Sequence, residues 1–179
     1  MHRRGLLLDR DGVINIDHGY VGKREQFTFV PGIFAFLRAA QDAGFRLAIV
    51  TNQSGVARGR YTAQDYKQLT QWMLGELKRE GIAIDLVLAC FEHTEGTIAK
   101  YCRESFWRKP NPGMVLDAIQ QLHLDPARSA FLGDTLRDME AARAGGIEKC
   151  LLLTDKNEAP PSGVDLVRNF DEALKALQS

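Results

Sequence analysis

The stretch RRGLLLDRDGVIN, residues 3–15, runs three leucines into two aspartates, Asp9 and Asp11, with Gly12 close behind. Side chains two apart on an extended strand point the same way. Two carboxylates about 4 Å apart would repel by roughly 4 kcal/mol at an effective dielectric near 20. A fold keeps such a cost when a bound cation, a shared proton, or both, offset it. Three further segments carry matching chemistry: TNQSG, from Thr51 to Gly55; RKPNPG, with Arg108 and Lys109; and GDTLRD, with Asp134 and Asp138. Two or three carboxylates suit Mg²⁺, which prefers oxygen ligands and keeps phosphate oxygens and waters. A lysine and a hydroxyl opposite the metal suit a phosphoryl group, whose spread charge needs fixed donors. One aspartate can then attack phosphorus to give an aspartyl-phosphate. The other can protonate the leaving alkoxide and later activate water.

The elements that must position these residues alternate along the chain. Residues 5–9, 46–50, 84–90, 129–132 and 148–153 are short apolar runs of the buried-strand type. Helical segments lie between them. The first, in PGIFAFLRAAQDAG, puts Ile33, Phe34, Leu37 and Ala40 on one face and stops at Gly44. The second starts from Thr62, with Asp65 three residues on, and ends at Gly81. A third begins after Pro112, a fourth is LRDMEAARAGG, and a fifth follows Asn169, with Glu172 completing a capping-box pattern. Such βαβα order predicts an α/β fold: a doubly wound parallel sheet with helices on both faces. Ligands bind such sheets beyond the carboxyl ends of the strands, where Asp9, Asp11, Thr51, Asp134 and Asp138 fall. Residues 155–163 read as a surface loop, and Trp72 and Met73 as helix packing.

The 179 residues fit one domain, 1–179. Lysine plus arginine equals aspartate plus glutamate, 23 each, which gives no electrostatic reason to expect nucleic acid or an anionic membrane as partner. The chain has no run of eighteen apolar residues, and its three leucines before Asp9 are too short for a signal peptide. Three cysteines make no disulfide framework, so a reduced, cytoplasmic protein is expected. A monomer is expected as well.

The D-x-D-G-V start, strand-end Thr51, Lys109 and the G-D-x-x-x-D element resemble the four motifs of the haloacid dehalogenase (HAD) superfamily of phosphatases, over most of the chain. Within it, LDRDGVINIDHGYV, TNQSGVARG, RKPNPGM and LGDTLRDMEAA are similar to the branch that holds phosphatases of heptose bisphosphates and of histidinol phosphate. The resemblance implies a Mg²⁺-dependent phosphomonoester hydrolase acting on a small phosphorylated sugar, a heptose 1,7-bisphosphate before histidinol phosphate or another sugar phosphate. It makes Asp9 the nucleophile, Asp11 the acid/base, and Thr51 and Lys109 the holders of the transferring phosphoryl group. It gives the metal the Asp9 carboxylate, the Asp11 carbonyl and the Asp134 carboxylate, with Asp138 in support. Asp17, His18, Gly19 and Tyr20, together with Asn52, Gln53 and Ser54, match segments that contact substrate, and Arg108 matches a recognition position. Arg58, a planar fork suited to phosphate oxygens, is the natural partner of a distal phosphate. Residues 52–108 leave no room for a cap domain, so the site is expected to be essentially capless. Selectivity falls to loops 15–30 and 91–108.

The chain departs from this pattern twice. The branch carries a zinc loop of form C-x-H then C-x-C before R-K-P. Here Cys90, His93 and Cys102 match it only in part, and Glu92 is a poor fourth ligand, so structural zinc is not expected. Phe106 and Trp107 are expected to pack the loop instead. Thr135 stands where the branch carries a substrate-touching lysine.

Overall fold

The computed structural model describes residues 3–156 and 159–178. Residues 157 and 158, within the expected loop 155–163, lie outside the described residues. All five expected strands form: β1 (Gly5–Leu8), β2 (Arg46–Asn52), β3 (Leu86–Cys90), β4 (Ala130–Gly133) and β5 (Lys149–Leu153). A sixth that the sequence did not announce, β6 (Val164–Val167), closes one edge. The strands are parallel throughout, in the order β3-β2-β1-β4-β5-β6. The chain steps outward from β1 to β3, then crosses back to β4 on the far side of β1. The carboxyl end of β1 is therefore the topological switch point, where open α/β sheets take their ligands.

The strands alternate between two buried layers, as residues on a sheet covered on both faces must. Leu6, Leu8, Leu47 and Ile49 pack on one face with Leu37 of α1 (Ile33–Asp42), Met73 of α2 (Ala63–Arg79) and Leu177 of α5 (Phe170–Gln178). Leu7, Ala48 and Val50 pack on the other with Met114 of α3 (Gly113–Leu122) and Met139 of α4 (Leu136–Ala144). Trp72 packs partly buried against the first cluster, edge-on to Phe27.

Two helices start with reciprocal caps. At α2, Asp65 N–H donates to Thr62 Oγ1 (3.0 Å), and Thr62 N–H donates back to Asp65 Oδ2 (2.8 Å). At α4, Thr135 N–H and Oγ1 donate to Asp138 Oδ2 at 3.1 and 2.8 Å. Such a box satisfies first-turn donors that would otherwise lack partners. At α4 it also fixes the carboxylate of Asp138 under the switch point. β1 ends at Leu8, so Asp9 and Asp11 lie past the strand and the two-residue alternation does not govern them. The chain turns there, with Asp11 bridged to Asn15.

Candidate active site

One crevice at the switch point brings together Asp9, Asp11, Lys109, Asp134 and Asp138. Asp17, Gly19, Tyr20, Asn52, Gln53, Ser54, Arg58 and Arg108 line it as well. Two expected residues do not. His18 is exposed and is not part of the lining, and Thr51 is fully buried.

Lys109 is the centre of the floor. Its side chain is 2% exposed, and Nζ lies 2.6 Å from Asp138 Oδ1, 3.0 Å from Asp9 Oδ1 and 2.8 Å from the Val50 carbonyl oxygen. Burial works against the ammonium, but the charges of Asp9 and Asp138 outweigh it and hold its pKa above the ordinary lysine value. Three acceptors suit an ammonium with three N–H groups. Asn52 clamps the same residue: Lys109 N–H donates to Asn52 Oδ1, and Asn52 Nδ2 donates to the Lys109 carbonyl, both at 3.0 Å. The Asn52 amide thus holds the backbone of Lys109 and keeps one N–H of its own at the crevice.

Asp9 is held through Oδ1, which accepts from Arg10 N–H (2.7 Å) as well as from Lys109. Burial pushes its carboxyl up to about 7 against the pull of Lys109, with Asp138, Asp11 and Asp134 adding to the rise. Burial and the Asp138 charge raise Asp134 to about 6. Asp11 turns to other partners. Its Oδ1 accepts from Arg10 Nη2 (2.9 Å) and Asn15 Nδ2 (3.0 Å), and its Oδ2 from Gln53 Nε2 (2.7 Å). The repulsion expected of a DxD pair is met by giving the carboxylates separate cations, Lys109 and Arg10. Sequence reading passed over Arg10, which is 1% exposed between the two aspartates; a cation inside a D-R-D triplet was the available signal.

The donor set suits a hard divalent cation. Among the described residues, Asp9, Asp134 and Asp138 form the one group of three or more ligand-type side chains with an atom each within 4.8 Å of one another. Both oxygens of Asp138 are already engaged by Lys109 and the α4 cap, which leaves Asp9 and Asp134 as carboxylate ligands. Their pKa values are raised by burial first and by neighbouring carboxylates second, and a cation placed between them would offset both costs. Gly12, at φ +83°, makes the approach possible: a Cβ there would lie 2.0 Å from Asp134 Oδ2.

The rim is cationic. Arg58, Arg108 and Arg137 line the crevice. Burial and the neighbouring Arg137 and Arg58 pull the half-buried Arg108 below the usual arginine range. Arg58 Nη2 pairs with Glu95 (2.8 Å) and lies 3.2 Å from His93 Nε2. Arg137 was not foreseen; it stands two positions beyond Thr135, whose own hydroxyl caps α4. Loop 91–108 is held by polar contacts. Arg103 Nη2 pairs with Glu92 Oε1 (3.0 Å), Cys90 Sγ donates to Glu92 Oε2 (3.2 Å), and Cys102 Sγ donates to the Thr94 carbonyl (3.1 Å). Phe106 and Trp107 do not pack it as expected. They are 60% and 43% exposed, and neither joins an apolar cluster of the core.

Carboxylates and a buried lysine at the strand ends of an open parallel sheet are the marks of HAD-like hydrolases, and a family profile described as HAD-hydrolase-like matches residues 106–172. A D-glycero-beta-D-manno-heptose-1,7-bisphosphate 7-phosphatase of Pasteurella multocida is 42% identical over 99% of this chain and 100% of its own. A D-glycero-alpha-D-manno-heptose-1,7-bisphosphate 7-phosphatase of Burkholderia mallei is 44% identical over 88% and 83%. The chain belongs to this family of HAD-like heptose-bisphosphate phosphatases. Among solved structures, the D,D-heptose 1,7-bisphosphate phosphatase from B. bronchiseptica, complexed with magnesium and phosphate, superposes with a TM-score of 0.85 at 26% identity, covering 98% of each chain.

Proposed function

We propose that this chain, acting as one capless domain, removes the 7-phosphate of D-glycero-D-manno-heptose 1,7-bisphosphate in a Mg²⁺-dependent reaction. One observation carries the chemistry: the buried Lys109 joins Asp9 to Asp138 beside Asp134 at the switch point. The Asp9 and Asp134 carboxylates and the Asp11 carbonyl would hold Mg²⁺, which supplies positive charge against the phosphoryl oxygens. A carboxylate oxygen of Asp9 attacks phosphorus and the bond to the sugar oxygen breaks. Asp11 gives that oxygen its proton, then takes one from the water that cleaves the aspartyl-phosphate and releases inorganic phosphate. Lys109 neutralises charge on the phosphoryl group. Thr51, whose Oγ1 accepts from Gln53 Nε2 (2.9 Å), has its own O–H proton left to donate.

The second phosphate of the substrate meets Arg58, Arg108 and Arg137 on the rim. Three guanidiniums favour a distal phosphate over the cationic tail of histidinol phosphate. No helix among the described residues is long and apolar enough to cross a membrane. A cytoplasmic monomer fits the reading.

Phosphate release with Mg²⁺ from both anomers of the heptose bisphosphate, histidinol phosphate and several hexose phosphates tests it. A kcat/KM preference of about a hundredfold for one heptose bisphosphate, or roughly 2.7 kcal/mol in the transition state, is the expected result. A flat or histidinol-led profile would keep the chemistry and overturn the substrate.

A further inference from the structure

In the wall of the crevice lie two polar residues, Gln53 and Tyr61, that the reaction as described leaves without a role. Gln53 is 2% exposed and Tyr61 7%. Gln53 Nε2 has two hydrogens and two acceptors: Asp11 Oδ2 at 2.7 Å and Thr51 Oγ1 at 2.9 Å. Its Oε1 accepts from Tyr61 OH at 2.5 Å. Its backbone N–H is anchored to the Cys90 carbonyl at 2.7 Å. An ionised carboxylate only accepts, so the amide must turn its NH₂ toward Asp11. With the NH₂ turned to the carboxylate, the amide oxygen faces the Tyr61 hydroxyl, which donates to it and completes the chain.

Tyr61 is itself seated in a slot cut for its ring. A Cβ on Gly55 would lie 2.2 Å from one ring carbon, and a Cβ on Gly22 2.3 Å from another. Two residues without side chains thus leave the room that one aromatic ring occupies. Asp11 Oδ1 already accepts from Arg10 and Asn15. Oδ2 has Gln53 as its donor and keeps a lone pair, so Oδ2 is the oxygen able to carry a transferable proton.

We infer that Gln53, locked by Tyr61, is a positioning residue that presents Asp11 Oδ2 to the leaving-group oxygen and fixes the Thr51 hydroxyl beside it. The inference rests on the proposed acid/base role of Asp11. It reassigns Gln53 from a substrate contact to the support of two groups that act on the phosphoryl transfer.

The leaving group separates this role from a merely structural one. A sugar alkoxide needs a proton to depart; a nitrophenolate leaves as a stable anion. kcat/KM covers the steps up to that departure and is blind to later hydrolysis of the aspartyl-phosphate. Tyr61→Phe keeps the ring in its slot and removes only the hydroxyl. It should lower kcat/KM for the heptose bisphosphate about tenfold and for p-nitrophenyl phosphate about twofold or less. Gln53→Met should widen that gap to about a hundredfold, with thermal melts confirming that both variants fold. Equal losses on the two substrates, or no loss on either, would overturn the inference while leaving the phosphatase intact. Wild-type protein without Mg²⁺-dependent turnover, or Asp9→Asn with full turnover, would instead overturn the proposed function, and this inference with it.

Discussion

The floor and the rim of the crevice are built on opposite plans. On the floor, Lys109 and Asp138 are buried and Asp9 largely so, and their partners are fixed within 3.0 Å; Asp9 follows the end of β1, Asp138 lies in the first turn of α4, and Lys109 sits in the turn that leads into α3. On the rim, Arg58, Arg108 and Arg137 come from loops and an exposed helix turn, and their neighbours include other cations. A preorganised floor gains electrostatic strength from exclusion of water, whereas a solvated rim gains reach and loses strength to screening. The chemistry is thereby placed where geometry is rigid and the selection of substrate where it is adjustable.

Changes to the floor should be the severe ones. Asp9→Asn removes the proposed nucleophile, and steady-state phosphate release should fall by about 10⁴-fold or more with the fold retained by circular dichroism. Lys109→Met leaves two buried carboxylates without their cation. Urea unfolding should show a loss of about 3 kcal/mol, and kcat should drop by at least about a hundredfold. Metal removal gives a third test, with a definite sign. Asp9 and Asp134 have folded pKa values raised to about 7 and about 6, above the 3.8 of an ordinary aspartate. A raised carboxyl contributes stability that is present below pH 3.8 and lost as the pH climbs through the folded value. In chelator, the melting temperature should therefore fall between pH 5 and pH 8. Mg²⁺ at a hundred times its Kd should restore about 2.7 kcal/mol at pH 8 and much less at pH 5, where protons compete for the same oxygens.

Changes to the rim should be milder and should depend on the substrate. Arg108→Ala or Arg137→Ala should raise KM for the bisphosphate by about tenfold and leave KM for a monophosphate within about twofold. If both substrates suffer alike, the rim does not read a second phosphate. The smallest effect belongs to Arg103→Ala. Its ion pair with Glu92 is largely solvent-exposed on the Arg103 side, so stability should change by less than about 1 kcal/mol and activity by less than about twofold.

Floor and rim also differed in how well the sequence foretold them. Asp9, Lys109 and Asp134 follow apolar runs or precede a helix start, so the βαβ grammar alone puts them at the switch point. Asn52 and Gln53 sit in an equally clear motif, yet their amides turn to Lys109, Asp11 and Tyr61. A motif places a side chain near a site; which way its amide faces depends on partners 8 to 57 positions away. Tyr61 had no local signal, since its slot needs Gly22 and Gly55 together. Hydrophobicity marks Phe106 and Trp107 as packing residues, yet both stay largely in solvent, because the type of a side chain does not say whether its loop turns it inward. The edge strand β6 escaped because four residues, with Asp165 exposed and Leu166 partly buried, show too little alternation.

The paired bonds between Asn52 and the backbone of Lys109 have a consequence for how such an enzyme changes over time. Loop 91–108 leaves the sheet at Cys90, whose carbonyl is tied to Gln53, and returns at Lys109, which is tied to Asn52. Both attachment points belong to neighbouring residues at the end of one strand. The loop is therefore a cassette on fixed mounts. Mutation or grafting between those mounts can alter which phosphate ester is admitted without retuning the nucleophile, and new substrate ranges become accessible by exchange of this one segment.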